Sequence, residues 1–176
     1  PAALASNVLR NLSLNATTPS DRFDYLVFFR PVRWLHNNLI PLDLHDDRTT
    51  YLGLDYQYND INASEDTAPN PAHFFLSFMA GAIFVAGWRA DARRWAYLLV
   101  VGSTFLLFCW LLKWQIWHTR LLMPLFVLFM PWVAVGVAGW RPRWLGDALG
   151  VGILLLAVPY LLLNCNRPVI SADIPS

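Results

Sequence analysis

The chain is poor in cysteine and in charge, and each shortage excludes a class of protein. Two cysteines, Cys109 inside an apolar run and Cys165 just after another, give no disulfide framework and no Cys/His spacing of the zinc kind. Charged residues are only 14% of the 176, with a net charge of +1, and nucleic acid is not an expected partner. No basic stretch followed by an apolar one opens the sequence, so its first twenty residues do not read as a signal peptide. Nucleophile elbow, glycine-rich phosphate loop and zinc-binding helix motifs are all missing. No ionisable residue sits at the centre of any long apolar run, which counts against a lipid transporter.

What the chain has in excess is apolar surface. A hydrophobic fraction of 56% does not suit a soluble domain, and the bilayer is the natural solvent. Four apolar runs, about 74–88, 96–112, 121–140 and 145–163, lack the polar stripe a soluble bundle would show. The last two easily cross a hydrocarbon core of about 30 Å, and the first two are near the lower limit. The expected fold is an all-α membrane protein: four transmembrane helices over 73–163, preceded by an extracytoplasmic helical and loop subdomain over 1–72 and followed by an outer tail, 164–176.

Arginine placement sets the orientation. Arg89, Arg93 and Arg94 fall between the first two runs, and Arg141 and Arg143 between the last two, so these loops are expected in the cytoplasm. Residues 1–72 and 164–176 then lie outside, in keeping with nine acidic side chains against five arginines in the first segment. An outer segment without a signal peptide has to be carried across by an earlier span. Upstream transmembrane helices of the same protein are therefore expected, and the chain reads as a carboxy-terminal fragment.

Within 1–72, Val8, Leu9 and Leu12 fall at helical spacing and predict a short helix over Asn7 to Leu14. Thr18 reads as an N-cap, with Pro19 at the first helical position and Asp21 in a capping-box place. Phe23, Leu26 and Val27 carry that helix to about residue 30, where Pro31 should break or kink it. Val32, Leu35 and Leu39 suggest further turns. From Ile40 to Pro71 the periodicity is lost, which predicts a long loop with at most short strands.

The chemistry concentrates in Lys113-Trp-Gln-Ile-Trp-His-Thr-Arg120. In the expected orientation the third run enters from outside, so its amino end presents free N–H groups and the positive end of the helix dipole there. Thr119 reads as its N-cap and Arg120 sits in its first turn. Arg120, Lys113 and, beyond the fourth run, Arg167 form a cationic set suited to a phosphate or pyrophosphate at headgroup depth. Trp114 and Trp117 read equally well as interfacial anchors. Pro131 and Pro159 are kinks or packing irregularities, and Gly146 and Gly150 offer small-residue helix packing.

The outer loop holds Asp43, His45, Asp46, Asp47, Asp55, Asp60, Glu65, Asp66 and His73. Their spacing matches no defined metal loop, so a solvated acidic loop is the default and a divalent cation the alternative. Glu65, Asp66, Asn70 and His73 stand directly above the first run and, with His118, are the candidates for facing a substrate.

Arg120-Leu-Leu-Met-Pro124 followed by Pro131 resembles the late transmembrane region of GT-C membrane glycosyltransferases, in the bacterial protein mannosyltransferase and aminoarabinose transferase-like group. Asn7-Val-Leu-Arg-Asn-Leu12, Glu65-Asp-x-x-x-Asn-Pro-x-His73 and Asn164-x-Asn-Arg-Pro168 are similar to members of that group as well. The resemblance implies transfer of a sugar from a polyprenyl-phosphate carrier to an acceptor on the outer face of a bacterial inner membrane. It also implies a catalytic acid in the first outer loop of the full-length protein, outside this chain, so no residue here takes that role. Arg120, and after it Lys113, are implied as ligands of the carrier phosphate. The chain departs from the pattern in having Leu121 or Leu122 where an aromatic is usual. The rival reading is a non-catalytic membrane scaffold or subunit.

Overall fold

The computed structural model describes residues 1–57, 64, 66–86 and 92–163; Glu65, Arg89, Arg167 and the expected outer tail lie outside the described residues. The described residues are helical, with no strand. In order they form α1 (Ala2–Asn15), α2 (Asp21–Asp24), a π-helical turn (Tyr25–Phe29), α3 (Arg30–Asn38), α4 (Pro71–Ala86), α5 (Ala92–Leu111), α6 (His118–Leu121), α7 (Met123–Ala138) and α8 (Trp144–Leu162).

Two of these, α5 and α8, are long and apolar enough to cross a membrane. The other two apolar runs form shorter helices, α4 and α7, of 16 residues each, which is about 24 Å of helix. The helix α5 begins at Ala92 and takes Arg93 and Arg94 into its first turn. The third run does not start a single helix at residue 121. His118–Leu121 forms its own turn, and α7 begins afresh at Met123 with Pro124 in its first turn, where a missing N–H costs nothing. Pro131 and Pro159 lie inside α7 and α8 without ending either helix.

The cap expected at Thr18 falls instead at Ser20, whose side chain accepts from the Phe23 N–H. Thr18 is drawn away by Asp24, a buried carboxylate that accepts from both its N–H and its hydroxyl at 2.8 Å. Pro31 does not break the chain's course either. Before it, the helix widens by one residue, so that the Arg30 N–H bonds the Tyr25 carbonyl five residues back. A π turn is a recognised way to absorb such a local mismatch.

The helix α1 extends well beyond the expected Asn7 to Leu14, and its buried face is polar. Asn7, Arg10, Asn11, Leu14 and Asn15 are buried, while Val8, Leu9 and Leu12 are only half-buried. It packs against α3, α5 and α6. Beneath it, α4 and α7 form the main apolar pair, with the Phe84 and Trp132 rings edge to face at 4.3 Å. The helix α8 buries none of its residues. Of its two small-residue positions, Gly146 comes close to Val137, whereas Gly150 has open space around it, so the anticipated packing stripe is half realised.

Candidate functional site

The polar face of α1 is met by backbone carbonyls and side-chain groups of other elements. Asn7 donates to the Cys109 and Leu112 carbonyls at 2.9 and 3.1 Å, closing the carboxy end of α5. Arg10, fully buried, donates to four neutral oxygens: the Leu44 and Thr49 carbonyls, the Thr50 hydroxyl and the Asn7 side chain, at 2.7 to 3.1 Å. Its guanidinium also lies 5.6 Å from the Trp114 ring centre. Burial pulls its pKa down from 12.5 to about 10. Asn7, Asn11 and Asn15 recur at every fourth position, which puts all three on one helix face.

The segment between α5 and α7 docks onto this platform. The Trp114 N–H donates to the Thr49 carbonyl at 2.7 Å, and the Tyr51 N–H to the Trp114 carbonyl at 2.9 Å. This is the isolated parallel bridge that ties the long outer loop to the segment. Trp114 is wholly buried, edge-on to Tyr56 at 5.3 Å, so it is a core residue and not an interfacial anchor. Trp117 is partly exposed, against Tyr51.

His118 is also wholly buried and does not face outward, contrary to the expectation that it meets substrate. Its Nδ1 lies 2.7 Å from the Asn11 side-chain oxygen. Because the Asn11 amide N–H₂ is spent on the Asn7 carbonyl, that oxygen is the acceptor and the histidine proton sits on Nδ1. Burial first, and then the charge of Arg10, hold the imidazole neutral, with its pKa pulled down to about 4. Thr119 caps nothing: neither α6 nor α7 has a side-chain cap. Its hydroxyl donates instead to the Asp66 backbone carbonyl at 3.2 Å.

Of the expected phosphate ligands, Arg120 and Lys113 are exposed at the α5–α7 end, and both are engaged. Arg120 pairs with Asp66, and Lys113 donates to the Asp47 carbonyl at 2.6 Å. Asn70 joins the Arg120 cluster through a 3.1 Å bond to the Thr119 carbonyl. Arg120, Asp66, Thr119 and Asn70 thus come together. His73 is half-buried, its ring 6.3 Å from that of Phe126. In the acidic loop Asp46 is taken up by Arg48, and among the described residues no three His, Cys, Asp or Glu side chains converge to hold a metal.

Below α1 a half-open groove of about 600 Å³ lies between α4, α5 and α7. Its walls are apolar, with Phe74, Phe105 and Phe126 among them, and the Asn15 oxygen and Ser77 hydroxyl at its margin are withdrawn from it. Sequence reasoning passed over Arg10, Asn15 and Ser77. The four-residue asparagine spacing was the one signal available for α1; Ser77, alone in an apolar run, gave none.

No protein-family model, curated protein or solved structure matches this chain.

Proposed function

We propose that the chain is part of an integral membrane glycosyltransferase that moves a sugar from a polyprenyl-phosphate donor to an acceptor on the outer face. In this reading α4, α5, α7 and α8 all span the membrane. The two shorter helices lie within its apolar zone, extended by the segments that flank them. Support for a membrane setting comes from α8, apolar on every side and buried nowhere, with Leu154 66% exposed. Such a surface calls for lipid or for the helices expected upstream in the same protein. The arginines of the α4–α5 and α7–α8 connections then mark the cytoplasmic side of a bacterial inner membrane, with residues 1–72 and 164–176 outside.

One observation carries the transferase reading: Arg120 and Lys113 stand exposed at one end of the apolar helices, on a segment whose intervening residues Trp114, His118 and Thr119 are buried and fixed. A cation held by a rigid mount is what an oxyanion leaving group requires. Arg120 is the principal ligand of the carrier phosphate and Lys113 the second, with Arg167 as a third. The catalytic acid belongs to the first outer loop of the full-length protein and would act as general base on the acceptor hydroxyl.

The scaffold reading has one observation in its favour, since Asp66 already neutralises Arg120. Sugar transfer from a polyprenyl-phosphate donor by the full-length protein in membrane vesicles separates the two. Arg120→Ala should abolish transfer while membrane insertion and expression stay normal. Unchanged transfer rejects the phosphate assignment, and no transfer by the unaltered protein with any polyprenyl-phosphate sugar favours the scaffold.

A further inference from the structure

The helical stretch 21–38, made of α2, the π-helical turn and α3, has two unlike faces. Asp24, Phe28, Val32 and His36 recur at every fourth position and turn inward, buried or half-buried. Asp24 is bonded by Thr18, His36 lies 2.9 Å from the Ser6 hydroxyl of α1, and Val32 packs in the cluster of Tyr56 and Trp114. On the other side Phe23, Leu26, Val27 and Trp34 are exposed, Trp34 by 56%. Leu26 and Val27 follow Phe23 by three and four residues, and Trp34 follows Val27 by seven, which is the spacing of a single helical stripe.

Two observations say what covers this stripe. First, Arg22, Arg30 and Arg33 stand on the same stretch, all exposed, and none has a hydrogen-bond or ion-pair partner for its side chain among the described residues. Of the two carboxylates there, Asp24 is buried and only Asp21 faces solvent, so the exposed surface is cationic as well as apolar. Aromatic and aliphatic side chains flanked by unpaired arginines suit an anionic bilayer surface. Second, a run of neighbouring rings joins the stripe to α4. Phe23 meets Phe28 edge to face at 5.9 Å, Phe28 lies 6.5 Å from Phe75, and Phe75 meets Phe74, which is 4.9 Å from Phe78. Phe75 and Phe78 are themselves exposed. The apolar surface of α4 is therefore continuous with the stripe at the amino end of that helix.

We propose that residues 21–38 lie along the outer leaflet of the membrane, with Phe23, Leu26, Val27 and Trp34 seated at the boundary of headgroups and acyl chains and Arg22, Arg30 and Arg33 on anionic lipid headgroups. A helix bound in this way sits about 5–10 Å into that boundary. The arginine stems lie on apolar surface while their guanidinium groups reach up to the phosphates. The inference rests on the membrane setting proposed above and not on sugar transfer. Its consequence is a fixed height for the outer segment: α3 packs on α1, and α1 carries the 113–120 segment through α6.

The test is depth-dependent fluorescence quenching in the full-length protein, reconstituted into vesicles of phosphatidylcholine with or without phosphatidylglycerol. An environment-sensitive dye is attached at Leu26→Cys or, as a reference within α8, at Leu154→Cys, and the signal of identically treated unaltered protein is subtracted. A nitroxide near the lipid headgroup should quench the Leu26 dye more than one near the chain end, and the order should reverse at Leu154. Each arginine near an anionic surface favours the seated helix by about fivefold, so replacing Arg22, Arg30 and Arg33 together by glutamine should shift that equilibrium by about a hundredfold. Quenching at Leu26 in anionic vesicles should then fall to its level in phosphatidylcholine alone, with helical circular dichroism and melting temperature kept. Equal quenching in both vesicles and in the triple variant overturns the headgroup assignment. A dye at Leu26 that no nitroxide reaches, while Leu154 is quenched, overturns the seat and leaves the membrane setting standing; a blue-shifted emission in that case identifies other helices of the protein as the cover. Quenching at neither position overturns the membrane setting along with the inference.

Discussion

Arg10 donates a 2.7 Å hydrogen bond to the Thr50 hydroxyl across 40 residues of sequence, and both side chains are withdrawn from solvent. The same guanidinium satisfies two carbonyls of the outer loop and the Asn7 side chain, so one residue joins α1, the loop and, through Asn7, the end of α5. Arg10→Met keeps much of the volume but removes the donor to the Leu44 carbonyl, the Thr50 hydroxyl and the Asn7 side chain, and leaves the Thr49 carbonyl with only the Trp114 N–H. It should destabilise the protein by about 3 kcal/mol or more. Arg48→Ala, which removes an exposed cation from a half-buried Asp46 and touches no other element, should cost less than that, about 1 kcal/mol. Chemical or thermal unfolding of the detergent-solubilised protein measures the contrast.

The two tryptophans of the 113–120 segment should separate in the same assay. Trp114 is wholly buried between Tyr56 and Arg10, and Trp114→Ala removes the centre of one hydrophobic cluster. A loss of roughly 3–5 kcal/mol is expected for a buried tryptophan. Trp117 is 37% exposed, and its replacement by alanine should cost under about 1 kcal/mol. Equal losses would mean that Trp114 is not in the core.

Acid should weaken the fold through its buried histidines. His118 has a folded-state pKa of about 4, below its ordinary 6.5, and His36, hydrogen-bonded to Ser6 and the Val32 carbonyl, is lowered in the same direction, chiefly by burial. Between the two values the unfolded chain binds more protons than the folded one. Stability owed to His118 is thus constant above about pH 6.5, falls as pH drops toward 4, and levels off once the folded form is protonated as well. The full effect is about 3 kcal/mol. His118→Gln retains a donor for Asn11 without a titration, so its melting temperature should fall less steeply over that interval.

Asp66 and Arg120 make a solvent-accessible pair, with side chains 35% and 60% exposed. Asp66→Ala should shift stability by no more than about 1 kcal/mol. If Arg120 grips the carrier phosphate, Asp66 competes with that phosphate for the guanidinium. The variant should then show a KM for the polyprenyl-phosphate donor several-fold below that of the unaltered enzyme. A raised KM would instead make Asp66 a residue that positions Arg120.

The helical class and the apolar runs were legible because they depend on composition and on local periodicity. Helix ends were legible only in part. Thr18 has the right type for a cap, but the buried Asp24 carboxylate attracts its donors, and nothing local announces that Asp24 is buried. The same limit applied to His118 and Trp114. Their neighbours in sequence suggested a membrane boundary, while the partners that bury them, Asn11 and Tyr56, lie far away along the chain.

By itself, then, the sequence determined that this is a helical chain with long apolar runs, two of them on helices long enough to cross a membrane, because hydrophobic pattern is written residue by residue. It also marked out Lys113 and Arg120 as cations at the ends of such runs. Only the tertiary structure decided which polar residues turn inward. Asn7, Arg10 and Asn11 are buried because distant carbonyls, the Thr50 hydroxyl and the His118 ring meet them there, and the groove beside them forms where α1, α4, α5 and α7 come together. Both depend on pairings between residues far apart in the chain, which no local pattern specifies.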